Sequence, residues 1–172
     1  MKNLHDKFLK EKLYEKQNAI DFLRLSLPAD VLQVLQLQTL SPTQSSFIPS
    51  HMRELFSDIV YQCRLISNEE VYCTILVEHK SYNDPFVSFQ IGEYIFAAYR
   101  QQIKNKEKFS VVIPLLFSHH EGEWKYRPLQ DYFNHTPAAL HRFLPAFDSV
   151  VFDVRQLSDE NIYNVRNVAL TS

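Results

Sequence analysis

The sequence predicts an α/β domain in which a mixed central β-sheet is flanked by helices. Three observations carry that reading. Apolar residues recur at helical spacing near the start, two β-branched and aromatic segments flank a polar turn, and a nearly continuous apolar run, SVVIPLLFS, fills 110–118. These argue in turn for an amphipathic helix, a β-hairpin and a strand covered on both faces.

Taken in order, residues 4–26 carry Leu4, Phe8, Leu9, Leu13, Ile20, Phe22, Leu23 and Leu25, which fits a helix broken near Asn18. Pro28 opens a second helix with Val31, Leu32, Leu35 and Leu40 on its apolar face. Ser41–Ser50, with Pro42 and Pro49, reads as a loop. Residues 56–66 and 71–77 are the hairpin strands, joined by Ser67-Asn68-Glu69-Glu70. Asp84-Pro85 then starts a helix to about 104, with Phe86, Phe89, Tyr94, Ala97 and Ala98 turned inward. After the buried strand come a short polar region, a strand near 149–154 and a helix from Ser158 to about Ala169. The expected organisation is one domain, 1–172, with N-terminal helices at 1–45, a core at about 46–157 and a C-terminal helix at about 158–169.

Composition narrows the function. The chain has 172 residues, a net charge of −2, 45% hydrophobic and 22% charged residues, which is the profile of a folded domain. A chain this long buries roughly two-thirds of its unfolded surface without staples. Gly92 and Gly122 are its only glycines, so P-loop and dinucleotide fingerprints are excluded. Two cysteines and no C-x-x-C exclude cysteine-rich zinc sites. The apolar stretches fall short of the roughly 18 residues of a membrane span, and MKNLHDKFLKEKLYEK is too charged for a signal peptide. A cytoplasmic protein with no membrane partner is expected. In that setting Cys63 and Cys73 read as small core residues, not a disulfide. Near-neutral charge gives no global pull toward nucleic acid. The basic run Arg100, Lys104, Lys106 and Lys108 is a local patch, or simply a solvated helix end.

Hairpin geometry turns spacing into a site. A turn centred on Asn68 pairs positions whose numbers sum to 136, so Asp58 lies opposite Glu78 and Cys63 opposite Cys73. Side chains alternate faces, so Asp58, Glu78 and Lys80 share one face while Ile59, Tyr61, Cys63, Val71, Cys73, Ile75 and Val77 form a core on the other. A register with an odd sum would separate the two carboxylates. Two converging carboxylates repel, and a hard cation such as Mg²⁺ or Mn²⁺ relieves the repulsion. The cation lowers the pKa of water and polarises a phosphoryl oxygen, and a nearby lysine offsets charge building on phosphorus. That is a minimal phosphodiester-hydrolysis site. The bland reading of the same three residues is an ion-pair cluster at a sheet edge. Glu123-Trp124-Lys125 repeats the E-x-K spacing, but follows Gly122 and does not end an apolar strand.

The run Glu54-Leu55-Phe56-Ser57-Asp58-Ile59-Val60-Tyr61, with Leu76-Val77-Glu78-His79-Lys80-Ser81, resembles the recombination-promoting nuclease (Rpn) family. That family is also catalogued as YhgA-like transposases and belongs to the PD-(D/E)XK nuclease superfamily. His5-Asp6-Lys7-Phe8, the aromatic spacing of Phe89–Tyr94 and Val112-Ile113-Pro114-Leu115 are similar to other stretches of the family, so the resemblance covers about 5–160. It implies a restriction-endonuclease-like core and a metal-dependent DNA endonuclease linked to recombination or mobile elements. Asp58 and Glu78 would be metal ligands with the backbone carbonyl of His79, Glu54 an outer ligand, and Lys80 the catalytic lysine. Ser57 stands where the superfamily has proline, and Gln90 where the family more often has arginine. The family usually carries a variable C-terminal extension, so a chain ending at Ser172 reads as a short member or as the nuclease domain alone.

Other candidates carry less. His119-His120 follows the buried strand, and His79 falls on the face away from Glu78, so neither is read as a general base. No Ser/His/Asp or Cys/His arrangement supports acyl transfer, and Trp124, His5 and Asp6 read as packing and capping residues. The reading is therefore a Mg²⁺- or Mn²⁺-dependent endodeoxyribonuclease using Asp58, Glu78 and Lys80, with Gln90, Lys104 and Lys106 as DNA-backbone contacts. Cutting both strands of a duplex needs two sites or two events, and a homodimer is one way to supply two sites. The alternative is a non-catalytic nuclease-fold module that binds DNA or a protein partner.

Overall fold

A computed structural model describes residues 13–43, 56–78, 84–118 and 125–153, with the backbone alone described at 56–58 and 70–78. The predicted C-terminal helix and the start of the N-terminal one lie outside these residues. The elements are α1 (Lys16–Ser26), α2 (Ala29–Val34), β1 (Leu35–Thr43), β2 (Phe56–Leu65), β3 (Glu70–Glu78), α3 (Val87–Asn105), β4 (Val112–Ser118), a 3₁₀ helix (Leu129–Phe133), α4 (Ala138–His141) and β5 (Val150–Asp153). The fold is mixed α/β. The strands form one sheet in the order β1-β2-β3-β4-β5, antiparallel across β1-β2-β3 and parallel across β3-β4-β5.

Alternation along the strands divides the core in two. Ile59, Tyr61 and Cys63 of β2, with Leu115 and Phe117 of β4, pack under Ala19, Ile20, Phe22 and Leu23 of α1. Phe22 meets the rings of Phe117 and Phe152 edge-on, at centroid distances of 5.8 and 5.4 Å. On the other face Val60, Val112 and Leu116 pack against Val87, Ile91, Tyr94, Ile95 and Ala98 of α3. Tyr61 and Cys63 confirm one expected core face, and the apolar run 110–118 becomes a strand buried on both sides. Pro114 costs little there: β5 begins opposite Leu115, one residue past the position that lacks an N–H.

Four expectations are corrected. The first helix breaks at Glu15, not at Asn18. The second ends at Val34, and Leu35–Thr43 is a strand instead of the rest of a helix. Leu35-Gln36-Leu37-Gln38 has a period of two, and β2 offers the ladder that a short helix with no buried residue lacks. A bulge between Gln36 and Ser41 is closed by the Thr39 hydroxyl, which accepts from the Arg64 N–H at 2.9 Å and donates to the Gln36 carbonyl at 2.7 Å.

The hairpin forms with another register: Asp58 pairs with Leu76, Glu78 with Phe56, Cys63 with Val71 and Cys73 with Tyr61. The turn is Leu65–Glu69, closed by Asn68 N–H to the Leu65 carbonyl at 2.8 Å and Leu65 N–H to the Glu69 carbonyl at 2.6 Å. Its left-handed residue is Asn68 (φ 66°), a type that tolerates that region. A turn with its left-handed residue near the far end is centred on Ser67, which moves every pair by two and preserves the parity.

The fourth correction concerns α3, which begins at Val87 and not at Pro85. Its buried stripe is Val87, Ser88, Ile91, Tyr94, Ile95, Ala98 and Gln102, so Tyr94 and Ala98 point inward as expected. Phe86 and Phe89 fall off that stripe and are 56% and 42% exposed. No helix among the described residues is long and apolar enough to cross a membrane.

Candidate functional site at one edge of the sheet

Strand polarity decides which residues can meet. β3, β4 and β5 are parallel, so Glu78, Ser118 and Asp153, the last residue of each, end at one edge. β2 runs the opposite way and starts at that edge, bringing Asp58 to it. Ser118 pairs with Asp153, and Leu76 pairs with both Asp58 and Leu116. By alternation positions 58, 76 and 78 share the face of Val60 and Leu116, against which α3 packs. Positions 58 and 78 are diagonal neighbours on adjacent strands, a relation that separates residues by about 7–8 Å. The ends of parallel strands are where open α/β sheets bind their ligands.

Two residues at this edge were missed from sequence. Ser118 is buried, and its hydroxyl has no hydrogen-bond partner among the described residues. Asp153 is buried beside it on β5. The available signal was that both end apolar strands with a polar side chain, SVVIPLLFS and SVVFD. An orphaned buried hydroxyl beside the Glu78 position is the polar atom that a bound ion or ordered water would satisfy. Two carboxylates and a hydroxyl are an oxygen donor set of the type hard divalent cations take. The positions therefore fit Mg²⁺ or Mn²⁺, although no group of three or more His, Cys, Asp or Glu gathers among the described residues. Lys80, His79, Glu54 and His119-His120 lie outside the described residues.

The remaining candidates separate. β3 ends at the site edge and β4 starts at the opposite edge, so α3 between them runs from one to the other. Gln90 is on the first turns of α3, its amide donating to Asp84 Oδ2 at 2.7 Å while Asp84 Oδ1 accepts from the Phe86 N–H at 2.9 Å. Lys104 and Lys106 lie at the far end of α3, roughly 25 Å along the axis from its start at 1.5 Å per residue. There the basic run is exposed, and Lys108 pairs with Glu69 at 2.9 Å, holding that carboxyl below its usual range. The structure brings Asp58, Glu78 and the start of α3 to one edge, and leaves Lys104 and Lys106 at the other.

Residues 125–149, expected as a polar connection, instead cover the first half of α3. Tyr126 and Phe147 pack on the α3 core, with Phe147 carbons against Gly92, and Leu129 is buried. Tyr132 lies 5.9 Å from Phe86 and 5.0 Å from Phe89, and the Arg127 guanidinium sits 4.1 Å above its ring. Burial pushes the Tyr126 hydroxyl above its ordinary value, and on the other face does the same to Tyr61 and the Cys63 thiol.

The family model described as "Putative transposase, YhgA-like" matches residues 3–172. The chain belongs to this family. Among curated relatives, the Escherichia coli K12 protein named inactive recombination-promoting nuclease-like protein RpnE is 30% identical over 96% of this chain and 56% of its own. Recombination-promoting nuclease RpnA of the same strain is 31% identical over 96% of this chain and 57% of its own. Recombination-promoting nuclease RpnD of E. coli O157:H7 is 28% identical over 96% and 64%. The chain thus spans about 56–64% of the length of these relatives. No solved structure matches it.

Proposed function

We propose that this YhgA-like chain is a metal-dependent DNA endonuclease whose site is the Asp58–Glu78 edge. The observation that carries the reading is the even hairpin register, which puts positions 58 and 78 on one face as diagonal neighbours. Relatives named recombination-promoting nucleases support it, and sequence adds Lys80 two residues past Glu78. Asp58 and Glu78 would hold Mg²⁺ or Mn²⁺, with the carbonyl of His79 as a further ligand and Glu54 as an outer one. When bound, the cation supplies a lowered water pKa and polarisation of the phosphoryl oxygen. Lys80 orients the attacking water and offsets the negative charge that grows on the phosphate oxygens. A restriction-endonuclease-like arrangement of sheet and α3, action on DNA as a homodimer and a cytoplasmic location belong to the same proposal.

Supercoiled plasmid incubated with the purified chain and Mg²⁺, Mn²⁺, Ca²⁺ or EDTA tests the reading beside Asp58→Ala and Lys80→Ala. Nicking or linearisation that requires Mg²⁺ or Mn²⁺ and vanishes in both variants is expected. Full cleavage by folded variants would sink the site assignment.

A second reading is favoured by one observation: a relative at 30% identity is named inactive. In it the same fold serves as a non-catalytic module for DNA or a protein partner. Mn²⁺ affinity separates the two, since such a module has no use for the cation.

A further inference from the structure

Phe86, just before α3, and Phe89 in its first turn lie off the buried stripe and are exposed. They are not isolated. Phe86, Phe89 and Tyr132 form a cluster with centroid separations of 6.2, 5.9 and 5.0 Å, with interplanar angles from 31° to 69°. The cluster is held in place from two sides. Asp84 fixes the backbone of Phe86, and buried Leu129 anchors the 3₁₀ helix that carries Tyr132. Exposed Arg127 is also fixed, its guanidinium stacked on Tyr132 and donating to the Asp131 carbonyl at 2.6 Å. The cation–π contact and the hydrogen bond keep the guanidinium in one place beside exposed rings, so a planar cation and an aromatic surface are presented together.

The position narrows the ligand. This is the end of α3 nearest the edge that carries Asp58, Glu78 and Ser118, and the far end carries Lys104 and Lys106. A fixed set of rings with a planar cation fits a partner that is flat, aromatic and attached to negative charge. Duplex DNA hides its base faces within the stack, while a single strand presents them. We propose that Phe86, Phe89, Tyr132 and Arg127 form a stacking site for an unpaired base of single-stranded DNA, with Arg127 meeting the adjoining phosphate. The proposal rests on the nuclease reading of the neighbouring edge and adds a substrate class to it. The preferred substrate is DNA with a single-stranded or extruded segment beside the scissile bond.

The test uses the full chain in EDTA, so that nothing is cleaved. Its probes are a single-stranded oligonucleotide carrying 2-aminopurine and a blunt duplex of the same sequence. Phe86→Leu and Phe89→Leu keep apolar volume and remove the π-face, and Phe89→Trp restores one. Stacking on an aromatic contributes about 1–3 kcal/mol per base, so each leucine variant should lose roughly 5- to 150-fold affinity for the single strand. Quenching of 2-aminopurine should fall with it, duplex affinity should change less than about twofold, and Phe89→Trp should recover both signals. Equal losses on the two probes, leucine variants that bind like the parent, or no binding of either probe would overturn the stacking site. Plasmid cleavage by the parent in Mg²⁺ is run alongside. Cleavage with unaltered leucine variants rejects the stacking site and leaves the nuclease reading. Loss of stacking in the variants with no cleavage by the parent rejects the nuclease reading alone.

Discussion

Gln102 and Ser110 exchange two hydrogen bonds, the Gln102 amide donating to the Ser110 carbonyl at 3.1 Å and the Ser110 N–H donating to Gln102 Oε1 at 2.9 Å. Both residues are buried. The side chain thereby pairs with backbone as a neighbouring strand would, tying the end of α3 to the residues that lead into β4. Gln102→Leu fills the same space and orphans both backbone groups, which should cost about 2–4 kcal/mol in urea unfolding. A variant as stable as the parent would show that the pair contributes nothing net.

Gly92 governs how residues 125–149 lie on α3. A Cβ there would sit 3.1 Å from Phe147 Cε1 and 3.3 Å from Cζ. Gly92→Leu should push the ring away, destabilise by about 1–3 kcal/mol and speed proteolysis within 125–149. Phe147→Ala in the same chain should recover part of that loss, because the overlapping ring is gone. Independent, additive effects in the double variant would refute the contact.

If positions 58 and 78 form the proposed cation site, their carboxylates repel when no cation lies between them. Asp58→Asn should therefore raise Tm in EDTA, and Mn²⁺ should raise Tm of the parent but not of the variant. Cleavage should fall at least about 100-fold in Asp58→Asn and in Glu78→Gln. The double variant should be little worse than either if both act on one cation as proposed. A Mn²⁺ shift that survives Asp58→Asn would place the cation elsewhere.

Burial raises the Cys63 thiol above its ordinary value, against a smaller lowering by the Thr39 hydroxyl beside it. The folded chain then holds its proton more tightly than the unfolded one. Stability from this group is complete below the unfolded value and is lost as pH rises from about 9 through the folded one. The urea midpoint should decline across that window, and Cys63→Ala should decline less. Parallel curves would assign the alkaline loss to other groups, Tyr61 first among them.

The sequence by itself determined the elements whose signal is local. The period of α1, the β-branched hairpin, the apolar run of β4 and the acid-ended strands are set by side chains within a few residues of one another. Whether positions 58 and 78 share a face was left open between even and odd registers, and the even register of the folded hairpin decided it. What stood opposite what was not local. The pair sum depended on Asn68 taking the left-handed conformation near the far end of its turn, and Leu35–Thr43 became a strand because β2 was there to pair with it. Tertiary structure alone decided which ends meet. Strand order and polarity brought Ser118 and Asp153 to the edge of Asp58 and Glu78, and the length of α3 carried Lys104 and Lys106 away from it. The exposure of Phe86 and Phe89 follows the same logic: periodicity marks them as apolar, and only the packing of α3 and Tyr132 fixes which way they face.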